Sequence, residues 1–430
     1  MEVLVLKKRL FALGLALVVC FCLLAGCGSV SDDSTGSSSE DESGSSDESL
    51  TEIPDEAYDD IVYYLTDGAV SSDDVVYTVN GADITASEYF YWITYEAYVY
   101  SYTYYSSYYY YPDLTEEYSD GTTMADYVVQ DAYYYATLYA CVYANALEAG
   151  VSLSDTYQTS LDSYIPDSVT SLGEDLWDTA VAAGTIDEDD YTDEEKEEWI
   201  EEQGELEMAL SLMYYSTDTD GIYNIYLKSY FYQQYEDVLF GDGGEYEVTD
   251  EEIAEYVEEN EAYNCRYILF GDPDGDFDDD ELEEYYEEAL ACYEELLTLS
   301  GDDLDDAIAE YAASNPDSNT TGELAFDSSS TVLDEFLEVL EGLEIGEIGM
   351  TGETEDGYYI IIRDEVDADT ELADSYTVYW HYVDDAFGDL VTEWVDEMEV
   401  VDTGALDDFV VTDFMVNLDA LRDIIDVYYQ

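Results

Sequence analysis

His381 is the only histidine of the 430-residue chain, and it stands beside Trp380 in a helical pattern, so an ordinary helix residue is expected there. Of six cysteines, Cys20 and Cys22 fall in an apolar N-terminal run and Cys27 ends it. Cys141, Cys265 and Cys292 remain, an odd set that does not suggest a disulfide framework. Buried thiols are expected, with a Cys265–Cys292 pair left open. The loop Asp272-Pro273-Asp274-Gly275-Asp276-Phe277-Asp278-Asp279-Asp280 alternates carboxylates and has Glu283 at the twelfth place, the ligand order of a calcium loop. Phe277 stands where such a loop must turn on glycine, so a solvated acidic loop is expected and no metal site is assigned. The acidic runs 187–190 and 193–198 read as solvated faces. Residues 89–111 are dense in tyrosine, a side chain that gives large amphipathic contact at low entropic cost. They form either a sticky face for another polypeptide or a helix that packs some rings inward and exposes others.

The charge is extreme. Asp and Glu number 109 against eight Lys and Arg, a formal net charge of −101. Nucleic acid is excluded as a partner, because phosphate affinity comes from basic side chains releasing counterions. Electrostatic docking to anionic lipid is excluded for the same reason. Disorder does not follow, since 47% of residues are hydrophobic and 15% aromatic, enough to bury a core. The length allows two or three domains. Such self-repulsion calls for cations or salt nearby, and a salty or divalent-rich extracellular setting fits.

Lys7-Lys8-Arg9 followed by an apolar run from Leu10 to Leu24 reads as a secretory signal. The run ends Leu24-Ala25-Gly26-Cys27, which resembles the lipobox of bacterial lipoproteins. The resemblance implies cleavage before Cys27, a diacylglyceryl group on its sulfur, and a membrane anchor made by acyl burial. Residues 28–49 are Ser, Gly, Asp and Glu with almost nothing apolar, a flexible self-repelling tether.

The elements are read from periodicity and turn chemistry. Residues 75–79 alternate as a strand, Asn80-Gly81 turns it, and Ile84 marks a short return strand. Thr85-Ala86-Ser87-Glu88 fits a capping box opening a long helix. Helical patterns cover 124–149, with Gly150 as the stop, then 155–183, 192–215 and 222–239. After a glycine break at 241–244, Thr249-Asp250-Glu251-Glu252 opens a helix ending near Asn260. A strand at 263–270, helices at 281–299, 301–313 and 332–340, a strand at 357–363 and a helix at 379–397 follow. In the last helix, Trp380, Val383, Phe387, Leu390 and Trp394 share a face.

Five blocks in this order resemble the parvulin-type peptidyl-prolyl isomerase domain. They are Cys265-Arg266-Tyr267-Ile268-Leu269, the helix start Gly301 to Ala309, Gly322-Glu323-Leu324-Ala325-Phe326, Ile345-Gly346-Glu347-Ile348 and Gly357-Tyr358-Tyr359-Ile360-Ile361. Upstream, residues 79–85, 148–154 and 248–253 are similar to the SurA/PrsA chaperone domain. Together these blocks resemble a PrsA-like foldase lipoprotein over most of residues 73–400.

The resemblance implies an α+β fold, a mostly helical chaperone domain with an inserted parvulin-like domain whose small antiparallel sheet is flanked by helices. Expected boundaries are a signal at 1–26, a tether at 27–72, chaperone helices at 73–248, the parvulin-like domain at 249–368, a helix packing back on the chaperone domain at 369–400, and an unassigned tail at 401–430. The family's proline slot falls on Leu324, Val332 and Phe336, with Phe326 beside it. Its paired histidines fall on Tyr267 and Tyr359, the polar residue between them on Asn315, and its small polar residue on Asp356. Tyrosine donates and accepts hydrogen bonds but cannot be cationic, so isomerase activity and a non-catalytic holdase are both open. The reaction needs no cofactor. Unfolded or nascent secreted chains are the expected partners, reached from the extracytoplasmic face of a bacterial membrane. A homodimer through the helical domain is open, but no residue pattern demands it. An acidic cation-binding surface lipoprotein is the reading from another class.

Overall fold

The computed structural model describes residues 53–117, 121–272, 277–314, 321–328 and 330–428. The signal segment, most of the tether, Cys27, Asn315 and the centre of the Asp272–Asp280 loop lie outside the described residues.

In chain order the elements are α1 (Asp55–Asp59), α2 (Ile61–Leu65), β1 (Val75–Val79), β2 (Ala82–Thr85), α3 (Ala86–Tyr108), α4 (Met124–Glu148), α5 (Asp155–Ala182), α6 (Asp193–Tyr214) and α7 (Thr219–Phe240). There follow α8 (Asp250–Glu259), β3 (Tyr263–Gly271), α9 (Asp279–Leu296), α10 (Asp302–Ser314), β4 (Thr321–Phe326), α11 (Asp334–Glu341), β5 (Ile348–Met350) and β6 (Gly357–Asp364). The chain ends with α12 (Val378–Glu397), β7 (Val400–Asp402) and α13 (Val411–Tyr428). The fold is α+β, mostly helical with two small antiparallel sheets. No helix of the described residues is long and apolar enough to cross a membrane.

Two compact units divide the chain. The first takes residues up to Tyr232 and from Met398 onward; the second is Gln233–Glu397. In the first, β1 and β2 form a hairpin closed by Asn80 (φ 48°) and Gly81 (φ 91°), the left-handed pair that a two-residue turn requires. Strand β7 joins the other edge of β1, giving the order β2-β1-β7. The return strand, Ala82–Thr85, is short as expected, and the tail left unassigned from sequence supplies the third strand. Helix α13 in the same tail buries Phe414, Leu418, Leu421 and Ile425. Phe414 and Phe409 both meet the Phe90 ring of α3 edge-on at 5.0 Å.

Thr192 and Glu195 cap α6 reciprocally, as do Thr249 and Glu252 at α8. At α3 the expected capping box is only half made. Thr85 accepts from the Glu88 backbone N–H at 3.4 Å, but the Glu88 carboxylate turns inward. It receives Lys228 Nζ of α7 at 2.6 and 2.7 Å, and Nζ also donates to the Asp83 carbonyl at 2.9 Å. Glu88 and Lys228 are 1% and 3% exposed, and burial pushes the Glu88 carboxyl up despite the lysine. A charged pair this deep is costly to form, but breaking it strands one bare charge. The aromatic helix α3 divides along its length. Tyr89, Phe90, Tyr91 and Trp92 are buried, whereas Tyr102, Tyr105 and Tyr108 further along are exposed.

In the second unit, α12 buries Val378, Val383, Phe387 and Val391, and Trp380 of the expected stripe is exposed. His381 sits 3.1 Å from Asp374 Oδ1, a partly exposed helix residue as expected.

Replacing Lys228 by Met leaves Glu88 buried without its cation, and chemical denaturation should show a loss of about 3–5 kcal/mol. A second buried acid, Glu96 of α3, is pushed up to about 8, first by burial and then by the nearby charge of Asp131. Its folded-state value lies above the unfolded one of about 4.3, so its contribution is fully present at low pH and is lost as pH rises towards about 8. Stability should therefore fall over that window by up to about 1.4 kcal/mol per pH unit from this group. In Glu96→Gln the slope measured by urea titration at a series of pH values should be shallower.

Candidate functional site

The second unit holds a four-stranded antiparallel sheet of order β4-β3-β6-β5. In β3 the residues alternate between two faces. The register sets Tyr263 opposite Phe326, Cys265 opposite Leu324 and Tyr267 opposite Gly322 on one side, and Tyr267 opposite Ile361 and Leu269 opposite Tyr359 on the other. One face therefore carries Cys265, Tyr267, Leu324, Phe326, Ile361 and Tyr359. The opposite face carries Ile268, Ile360 and Ile362, sealed by Cys292, Leu296 and Leu304 of α9 and α10. Cys265 and Cys292 thus lie on opposite sides of the sheet, and the pairing left open from sequence is not formed.

Helix α11 covers the first face with Phe336 and Leu340, and Val332 packs against the same cluster from the segment before the helix. Three rings meet there edge-to-face. Tyr267 and Tyr359 have centroids 5.8 Å apart, Phe336 and Tyr359 5.2 Å, and Tyr267 and Phe336 6.2 Å. Each such pair contributes roughly 0.5–1.5 kcal/mol beyond its burial. Phe336 is 3% exposed and forms the floor. Leu324, Val332, Tyr267 and Tyr359 are half-buried and form the open rim. Phe326 belongs to the same cluster but lies at its far end, against the Tyr263 ring at 5.7 Å, where it supports the patch and is buried.

The polar side of the cluster is the turn between β5 and β6. Tyr359 Oη donates to Asp356 Oδ2 at 2.7 Å. Asp356 is held by its backbone N–H donating to Thr354 Oγ1 at 3.2 Å, and Thr354 Oγ1 donates to the Gly357 carbonyl at 2.9 Å. Burial first, and then the hydrogen bond and charge of Asp356, hold the Tyr359 phenol well above its ordinary range. Burial also raises Tyr267, with Cys265 adding to it. Both phenols are neutral donors at physiological pH. Among the described residues the Tyr267 hydroxyl makes no hydrogen bond, and it lies against Gly322 of β4.

Sequence reasoning named Tyr267, Tyr359, Asp356, Leu324, Val332, Phe336 and Phe326, and all seven lie in or on this one cluster. Asn315 and Cys27 lie outside the described residues. Two contributors carried no chemical signal in the sequence, namely Thr354, which fixes Asp356, and Gly322, which seats Tyr267. A Cβ at Gly322 would fall 2.9 Å from Tyr267 Oη and 3.0 Å from its ring carbons. A separate small polar cleft of about 220 Å³ lies in the first unit, lined by Ser72, Ser87, Asp218 and neighbours. There Ser87 Oγ donates to Asp218 Oδ1 at 2.7 Å, and that oxygen also accepts the Gly221 N–H at 2.8 Å. Asp218 is thus engaged in holding the start of α7.

The class defined by this architecture is an α+β protein with a small antiparallel sheet, helix-covered on both faces and bearing an aromatic patch on one. No protein-family model matches the chain, and no curated protein does. Among solved structures it is similar to the foldase protein PrsA from Streptococcus pneumoniae, at 17% identity over 61% of this chain and 85% of that one, with a TM-score of 0.16. It is also similar to PrsA from Bacillus subtilis, at 15% identity over 72% of this chain and 92% of that one, with a TM-score of 0.19.

Gly322→Ala should displace the Tyr267 ring and cost about 1–3 kcal/mol, the usual range for overpacking. Gly352→Ala, where a Cβ meets open space, is the matched control and should leave the urea midpoint unchanged.

Proposed function

We propose that this chain is an extracytoplasmic folding factor of the SurA/PrsA type, with a peptidyl-prolyl cis–trans isomerase site on the ring cluster of its second unit. The observation that carries the reading is convergence. Tyr267, Leu324, Val332, Phe336, Asp356 and Tyr359 come from four separate stretches of sequence and meet at one apolar patch with a polar edge. The anchor at Cys27 and the acidic tether complete the reading and rest on the sequence alone.

Rotation about an X-Pro bond crosses a barrier of about 18–20 kcal/mol set by amide resonance. It breaks no covalent bond and calls for no metal or cofactor. A catalyst must hold the proline ring, hold the flanking backbone, and favour the twisted amide over the planar one. Phe336, Leu324 and Val332 give the ring an apolar seat. Rotation frees the nitrogen lone pair, and a phenol O–H aimed at it stabilises the twisted form. Tyr267 is the donor in this scheme. Tyr359 is a positioning residue whose own proton is committed to Asp356, and the two rings brace each other. Clients are unfolded secreted chains.

A protease-coupled isomerisation assay on a series of X-Pro peptides tests this. Acceleration should be abolished in Phe336→Ala and reduced in Tyr359→Phe, which keeps the ring but frees Asp356. Because both phenols titrate above their ordinary range, kcat/KM should be flat between about pH 6 and 8, where a histidine pair would show an inflection. No acceleration alongside suppressed aggregation of an unfolded client makes the protein a holdase. Divalent-dependent folding with no effect on aggregation makes it an acidic cation-binding lipoprotein instead.

A further inference from the structure

The exposed end of α3 is a second aromatic surface, built differently from the ring cluster. Residues 97–112 contain nine tyrosines and no charged residue, in a chain where 27% of residues are charged. The rings are ordered against one another. Tyr109 closes the helix in the left-handed conformation (φ 61°), which reverses the chain. Tyr111 then stacks on Tyr105 at 4.7 Å, and the Tyr110 hydroxyl meets that of Tyr104 at 2.9 Å. Much of this aromatic area still faces solvent, with Tyr108 61%, Tyr109 83% and Tyr111 65% exposed. An aromatic surface already set in one geometry loses little side-chain freedom when a partner binds.

Charge decides what that partner is. The ring faces are the negative pole of each aromatic quadrupole and attract ammonium and guanidinium groups. The exposed carboxylates of Asp113, Glu116 and Glu117 follow directly after the fan in sequence. The protein's net charge of −101 repels an acidic partner and draws in a basic one. The same chemistry already operates inside the molecule. Arg422 lies 4.2 Å over the Tyr214 ring, Arg363 5.2 Å over Tyr263, and Lys196 5.0 Å over Trp177. We propose that the tyrosine fan around Tyr108, Tyr109 and Tyr111 binds extended Lys/Arg-rich polypeptide segments, with cations on the ring faces and their second contacts on the carboxylates that follow. This surface selects its partner by charge and requires neither proline nor any activity at the ring cluster.

The test uses the full chain and a fluorescent Arg/Ser peptide, with a Glu/Ser peptide of equal length as counter-probe, read by anisotropy. The wild type should bind the basic peptide, more weakly as salt rises, and not the acidic one. The triple variant Tyr108→Ser, Tyr109→Ser, Tyr111→Ser should weaken binding about tenfold or more. The corresponding triple Phe variant should keep it, and the triple Leu variant should lose it, because only ring faces attract cations. All three sets change exposed side chains, and their thermal midpoints check that the fold is intact. Retention by the Leu set, equal binding of the acidic peptide, or a wild-type dimer that the Ser set dissolves would each overturn the proposal. The last of these would assign the face to a second copy of the chain. The Phe336→Ala variant should bind the basic peptide normally, which separates failure here from failure at the isomerase site.

Discussion

Scarcity of positive charge governs this structure. Beyond the N-terminal Lys7, Lys8 and Arg9, the chain has five cations, and each holds a specific place. Lys228 neutralises Glu88 at the base of α3. Arg266 forks onto Asp364 with two bonds of 2.8 Å and reaches Asp305 at 2.6 Å, tying β3 to β6 and α10. Arg363 donates to the Leu343 carbonyl after α11, and Arg422 to the Tyr214 carbonyl at the end of α6. Lys196 lies over Trp177, bridging α6 and α5. Three of the five rest on aromatic rings, and one of these, Lys196, also reaches the Glu188 carboxylate at 3.5 Å. With so few counter-charges, the remaining acids must face solvent or, like Glu96, be buried in neutral form.

Tyrosine fills the gap. It offers a large apolar face and a hydroxyl without adding charge, so the core, the ring cluster and the exposed end of α3 are all built from it. At the ring cluster the consequence is chemical. Tyr267 and Tyr359 meet there as two neutral phenols, and Asp356 fixes one of them.

Much of this was legible in the sequence, for identifiable reasons. Asn80-Gly81 can do little but turn a hairpin, and the capping boxes at Thr192 and Thr249 start their helices as written. The seven site residues assemble because strand alternation and register follow from the pattern of β3, β4 and β6. Other features were not legible. Glu88 reads as a cap in its local context, and only Lys228, 140 positions away, shows its other role. β7 is three residues long, too short for a periodic signal, and α13 fell in a stretch that no motif covered. That α3 divides along its axis, not around it, depends on which neighbours the fold supplies.

The closing of the β1 sheet by β7 has a consequence for synthesis. Val79 of the hairpin pairs with Val400, and Asn80 exchanges two hydrogen bonds with Glu399, across about three-quarters of the chain. A polypeptide delivered from its N-terminus cannot make these contacts until nearly all of it has emerged. The second unit is continuous in sequence and has no such wait. The first unit therefore stays open while the second is made, and its apolar helices spend that interval without their last strand and helix. A nascent chain of this topology is itself an aggregation-prone client until its final residues arrive.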